Sequence, residues 1–203
     1  AGVLVPPSWY DADRQGLLRG LNTPLLGAHQ AANAATAAMT VVAASAKLPR
    51  LDAAVLRAGL ASVSWPGRLQ VVGRSPTVVL DGAHTGESAK VLAKAMRTLF
   101  SDHSIVLVCG MQADKDIPAT VAPLAAIASA AIATQAAHTR AARPEVLGAA
   151  LRAAGCTLVE ERAEPRAALE RARELAGADG VVLVTGSLYL VGAVLQSTGE
   201  RPA

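Results

Sequence analysis

The sequence predicts an α/β fold with three layers, a mostly parallel sheet covered by helices on both faces. Two observations carry this. From about residue 69 onward, short apolar runs alternate with longer amphipathic ones, the order that makes parallel pairing with right-handed crossovers the default. The runs at 104–109 and 181–185 are almost wholly apolar, as strands buried on both faces must be.

The elements follow in order. Residues 1–23 read as a loop around Pro6 and Pro7, with a strand near 17–21. Residues 28–46 are alanine-rich and free of glycine and proline, which predicts a helix ended by Pro49. A shorter helix fits 51–60, with Leu51, Val55 and Ala58 on one face. Gly59 and the Pro66-Gly67 pair then punctuate the chain, so residues 64–67 read as a hinge. Two β-rich runs, 69–72 and 77–80, flank a turn at 73–76. Helix 86–99 places Val91, Leu92, Ala95, Met96 and Leu99 on one face, with Lys90, Lys94 and Arg97 on another. Strand 104–109, a proline-started helix to about 127, strand 130–133, helix 144–154 and strand 157–160 come next. Helix 165–176, strand 181–185 and helix 187–196 complete the alternation, and no internal repeat interrupts it.

Composition narrows the function. A chain of 203 residues is 52% hydrophobic with five aromatic residues, so its core is built from aliphatic strands and close helix packing. The net charge of +3 is spread without a basic stripe, which argues against nucleic acid as a partner. Residues 20–46 and 117–139 lack charge, yet both contain proline and polar side chains and are rich in alanine, a weak membrane former. With no basic and hydrophobic leader at the start, a cytoplasmic protein without a membrane span is expected. Cys109 and Cys156 lie far apart and read as reduced thiols; the four histidines show no zinc spacing, and no zinc is expected.

Chemistry concentrates where strands run into helices. Arg68 follows a Pro-Gly turn, Asp81 ends an apolar strand, and His84 stands before a helix. Loops at the carboxyl ends of parallel strands are where ligands sit, and helix amino ends offer N–H groups to anions. A guanidinium fork suits phosphate, although a surface ion pair explains an arginine equally simply. Asp81 is equally readable as a helix-capping turn residue and His84 as structural. His29 and Asn33, four residues apart with Gln30 beside them, share the start of a helix, where amides can read a purine or merely cap and pack. Asp114, Lys115 and Asp116 follow a strand, and Asp116 reads as a helix cap. Ser187 and Tyr189 begin the last helix, where a hydroxyl and unpaired N–H groups suit a carboxylate or a simple cap.

Several of these words resemble one family. WPGRLQ at 65–70 and VVLDGAH at 78–84 are similar to the start of the C-terminal domain of folylpolyglutamate synthases and dihydrofolate synthases, within the Mur ligase superfamily. LLGAHQAANAA at 25–35, GMQADKD at 110–116, TRAARPEVL at 139–147 and GSLYLVGAV at 186–194 agree in order and spacing. The resemblance implies a Rossmann-like C-terminal glutamate-ligase domain at 64–203, preceded at 1–63 by two helices from the end of a central ATP-binding domain. It implies an ATP-dependent ligase that adds glutamate to folate or dihydropteroate through an acyl phosphate, acting as a monomer in the cytoplasm. His29, Gln30, Asn33, Arg68, Asp81 and His84 would then bind ATP, Ser187 and Tyr189 glutamate, and Asp114 and Lys115 the active-site rim. Magnesium would be held mainly outside this chain, since no GxxxxGK[ST] phosphate loop occurs in it and the chain opens on Ala1, as a piece of a longer protein would. Thr85 departs from the family's usual asparagine and resembles the Mur peptide ligases. A peptide-ligase fragment, or a non-catalytic nucleotide- or amino-acid-binding module, is the alternative.

Overall fold

The computed structural model describes residues 20–44, 47, 50–135 and 138–198. Most of the expected strand near 17–21, and Pro49, lie outside these residues. The chain forms two compact units, Ala1–Trp65 and Pro66–Ala203.

The first unit holds helices α1 (Ala28–Ala43) and α2 (Ala53–Ala61). Asp52 caps α2, its carboxylate accepting from the Val55 amide at 2.8 Å. That cap fixes the helix phase, and the apolar stripe falls on Leu56 and Leu60, which join Leu21 and Ala38 in a small core. Of the face expected from Leu51, Val55 and Ala58, Leu51 packs against this core, whereas Val55 is 52% exposed and Ala58 is exposed.

The second unit is the three-layer α/β domain. Its strands are β1 (Gln70–Arg74), β2 (Thr77–Leu80), β3 (Ile105–Cys109), β4 (Ala130–Ala133), β5 (Val159–Glu161) and β6 (Val181–Thr185). Its helices are α3 (Gly86–Leu99), α4 (Ile117–Ala125), α5 (Pro144–Ala153), α6 (Pro165–Ala176) and α7 (Leu188–Thr198). The sheet order is β1-β2-β6-β3-β4-β5, parallel throughout except that β1 pairs with β2 as an antiparallel hairpin. β1 runs on through Gly73 and Arg74, so the turn narrows to Ser75 and Pro76. A register shift between Val71 and Gly73 absorbs the extra residue, which is why the expected strand 69–72 with a four-residue turn was too short.

Because side chains alternate across a strand, the sheet has two cores. Val79, Leu107 and Leu183 face α3, α4 and α5, whereas Val78, Leu80, Val106, Val108, Val182 and Val184 face α6 and α7. Each such side chain contributes about 1.5–3 kcal/mol on leaving water. On α3, Ala89, Leu92, Ala93 and Met96 form the buried line, an i, i+3, i+4, i+7 set. Val91 and Leu99, expected on that face, are 43% and 40% exposed. Val91 stands off the line's helical phase, and Leu99 is the last residue of the helix, just before the Phe100 cap.

Candidate functional site

Asp81 continues β2 beyond its last residue, and it is buried with 5% of its surface exposed. A carboxylate there needs partners, and backbone amides supply them. One oxygen accepts from the Leu69 amide at 3.0 Å and the other from the Ala83 amide at 2.9 Å. Leu69 has φ +45°, a left-handed conformation unusual for leucine, and Gly67 has φ +71°. The Gly67 amide donates to Gln70 Oε1 at 3.0 Å, while the Gly67 carbonyl accepts from the Gly82 amide at 2.8 Å. Arg68, exposed, thus sits between two left-handed residues, each tied to the loop that follows β2.

That loop also sets His84. Its ring Nδ1–H donates to the Gly82 carbonyl at 2.8 Å, which leaves Nε2 as the nitrogen able to meet a ligand. Thr85 opens α3 through a capping box with Ser88, so the hydroxyl at this position serves the helix start. The structure therefore brings Arg68, Asp81 and His84 onto one hydrogen-bonded pair of loops.

Beside this lie the carboxyl ends of β6 and β3. Gly186 has φ +104°, its amide donates to the Ala83 carbonyl at 3.0 Å, and a Cβ on it would meet the Gly110 carbonyl oxygen at 2.8 Å. A Cβ on Gly82 would strike the side chain of Leu188. Thr185 Oγ1, fully buried, donates to the Ala83 carbonyl at 3.3 Å. Three strands are each followed by a glycine, at LDG, VCG and VTG, a repeated pattern that the sequence reading did not use. In VCG, burial pushes the Cys109 thiol up to about 12, so the thiolate that could act as a nucleophile is absent at neutral pH.

Ser187 caps α7: its Oγ accepts from the Tyr189 amide at 3.1 Å and its carbonyl from the Val191 amide at 3.1 Å. The Tyr189 ring is half exposed and stacks on His138, with centroids 4.2 Å apart and planes tilted by 34°. His138 Nδ1 accepts from the Arg140 amide at 3.1 Å, which puts the ring proton on Nε2. Arg140 in turn pairs with Asp114 at 3.5 Å, and the Ala113 amide donates to the Arg140 carbonyl at 2.8 Å. Asp114 and Lys115 therefore lie on a loop stitched to residues 138–142, at the same carboxyl edge. Asp116 caps α4 through the Ala119 amide at 3.0 Å. Sequence reasoning missed Gln70 and His138, because each acts through a contact that only the folded chain creates.

In the first unit, Gln30 is the buried member of its trio. Its side-chain Nε2 donates to His29 Nε2 at 3.1 Å, and its Oε1 accepts from Asn33 Nδ2 at 3.0 Å. Gln30 thus orders His29 and Asn33 at the start of α1, with Gly27 preceding them and no side-chain cap. The amino end of that helix keeps backbone donors for whatever approaches it.

Among the described residues no group of three or more His, Cys, Asp or Glu is placed to hold a metal ion. No helix among them is long and apolar enough to cross a membrane.

Comparison with known proteins gives these features a setting. Residues 67–188 match the family described as Mur ligase, glutamate ligase domain. A probable bifunctional folylpolyglutamate synthase/dihydropteroate synthase of Haloferax volcanii is 40% identical over 168 residues, covering 83% of this chain and 20% of that protein. The structure of Mycobacterium tuberculosis folylpolyglutamate synthase complexed with ADP matches with a TM-score of 0.81 at 30% identity, covering 90% of this chain and 43% of that one. The bifunctional folylpolyglutamate synthase/dihydrofolate synthase of Yersinia pestis, complexed with AMPPNP and Mn ion, matches with a TM-score of 0.74 at 29% identity, covering 90% and 42%. The chain spans less than half the length of each of these relatives. With a family match over most of the α/β unit and the same fold in these enzymes, this chain belongs to the Mur ligase family, through its glutamate ligase domain.

Proposed function

We propose that this chain is the C-terminal portion of an ATP-dependent folylpolyglutamate synthase, a tetrahydrofolate:L-glutamate γ-ligase of the cytoplasm. Dihydrofolate synthase activity, which joins glutamate to dihydropteroate, uses the same chemistry. The γ-carboxylate of the folate attacks the γ-phosphorus of ATP, ADP leaves, and an acyl phosphate forms. The glutamate amine then attacks the acyl carbon, phosphate leaves with the bonding pair, and the amine loses a proton to give the amide.

One observation carries this reading: Arg68 is held between left-handed Gly67 and Leu69, both tied to the Asp81-Gly82 loop. Such a fixed backbone sets the direction in which the arginine side chain leaves the turn, and a preorganised guanidinium suits charge neutralisation on phosphate. In this proposal Arg68 and His84 Nε2 meet the phosphates. Asp81 sets both loops, and in this reading its carboxylate also accepts from a ribose hydroxyl. His29, Gln30 and Asn33 contribute to binding the base. Ser187 and Tyr189 receive the carboxylates of glutamate, with Asp114 and Lys115 on the rim. Residues 1–63 belong to the end of the central ATP-binding domain and 64–203 to the glutamate-ligase domain. The phosphate loop, the magnesium ligands and most of the pterin pocket lie in the N-terminal part of the parent enzyme.

The test supplies ATP, magnesium, tetrahydrofolate and labelled glutamate to the full-length parent and to the 203-residue chain alone. The parent is expected to incorporate glutamate with one ADP formed per amide, and the chain alone to incorporate none, since its sequence has no GxxxxGK[ST] phosphate loop and no group of three or more His, Cys, Asp or Glu among its described residues is placed to hold a metal ion. A parent that ligates an amino acid to a UDP-linked muramoyl acceptor and ignores folates would overturn the folate reading. Incorporation by the chain alone, abolished by Asp81→Ala, would overturn the division of labour.

A further inference from the structure

Gln70 lies at the start of β1, half-buried, with no contact expected to any substrate. Its Oε1 accepts from the Gly67 amide at 3.0 Å and so closes a turn whose two ends bracket Arg68. The backbone of this turn is costly. Gly67 and Leu69 both stand at positive φ, and leucine takes that conformation only when its surroundings hold it there. Three hydrogen bonds do so: Gln70 Oε1 to the Gly67 amide, the Gly67 carbonyl to the Gly82 amide, and Asp81 to the Leu69 amide. Two of them depend on the loop after β2. The third is supplied by Gln70 alone, from the strand that leaves the turn.

We infer that Gln70 is a positioning residue for the ligase reaction, acting through Arg68 by holding the Gly67 amide and so fixing the direction in which the guanidinium is presented. This rests on the proposed role of Arg68 at the phosphates. An amide oxygen is a suitable choice, because it accepts a hydrogen bond without placing a negative charge beside the arginine. The inference predicts a graded order among substitutions. Gln70→Met keeps the length and flexibility of the side chain and removes the acceptor. Gln70→Glu keeps an acceptor oxygen at the same reach.

The experiment uses the full-length parent and measures kcat and KM for ATP and for glutamate in Gln70→Met, Gln70→Glu, Arg68→Ala and the double variant Arg68→Ala/Gln70→Met. Gln70→Met is expected to lower kcat/KM for ATP at least tenfold with KM for glutamate changed less than twofold, and Gln70→Glu to retain activity within about threefold of the parent. The double variant is expected to be no worse than Arg68→Ala, because a residue that acts only through the arginine has nothing left to position. Exchange of the Gly67 amide, read by NMR or mass spectrometry, is expected to accelerate in Gln70→Met and not in Gln70→Glu. If Arg68→Ala is damaging while Gln70→Met is not, the positioning role is overturned and the phosphate assignment stands. Fully additive losses in the double variant, or an equal fall in thermal stability and activity in both Gln70→Met and Gln70→Glu, also overturn it, by making Gln70 a general structural residue. If Arg68→Ala leaves kinetics unchanged, the phosphate assignment itself falls and the inference with it.

Discussion

Arg68 is exposed, whereas Asp81 is buried and accepts from the Leu69 and Ala83 backbone amides. Their substitutions are expected to fail by different routes. In the full-length parent, Arg68→Ala is expected to lower ligase kcat/KM at least tenfold, about 1.4 kcal/mol of transition-state stabilisation, with stability unchanged. Asp81→Ala is expected to lose at least as much activity and also stability, since it leaves the Leu69 and Ala83 amides buried without acceptors, a cost of about 1–3 kcal/mol each. Steady-state kinetics and thermal melts together check this, and unchanged kinetics in both variants would remove the nucleotide assignment. The sequence made these two residues legible because they stand inside short, distinctive words. It could not reveal how Gln30 is buried between His29 and Asn33, or that His138 stacks on Tyr189, because neither follows from local spacing.

At the scale of elements, α3, β4, α6 and β6 begin and end where the sequence reading placed them, since a cap, a proline or a glycine marks most of their boundaries. β1 and β5 were less legible. β1 is set by pairing with β2, and β5 is a three-residue edge strand rich in charge. That edge is guarded by ion pairs, as exposed edges usually are. Glu160 accepts from Arg171 of α6 at 2.9 Å and from Arg162 at 2.9 Å. The hydrogen-bonded Arg171 guanidinium holds the Glu160 carboxyl below its ordinary 4.5; partial burial opposes this, and the charges of Arg171 and Arg162 assist it. A carboxyl depressed in the folded state stabilises the fold fully above its unfolded-state value and ceases to do so as pH falls through the folded-state one. Glu160→Gln is therefore expected to lower the melting temperature at pH 7, with the difference from the parent sequence shrinking below about pH 4.5 and vanishing in stronger acid. Melting curves across that range check it, and a difference that persists unchanged at low pH would mean that shape, not charge, matters here.

For the molecule as a whole, the division between Trp65 and Pro66 leaves the complete sheet and both of its cores in the second unit. A shortened chain of residues 62–203 is expected to unfold cooperatively by itself, with a single transition in urea seen alike by circular dichroism and fluorescence. Non-coincident transitions, or aggregation on expression, would show that the first unit is needed for folding. The fold class was legible because the βα alternation is written in the chain, but strand order was not, since periodicity says nothing about which strand is inserted between which. The insertion matters. β6 lies between β2 and β3, with Thr77 and Ile105 both in register with Val181. During synthesis β2 and β3 leave the ribosome with no partner for their facing edges until the last segments of the chain arrive, a wait of about 5–20 s at ordinary elongation rates. For that interval the nascent protein carries two open, apolar strand edges, so its yield in the cell is governed by what shields them before the closing strand is made.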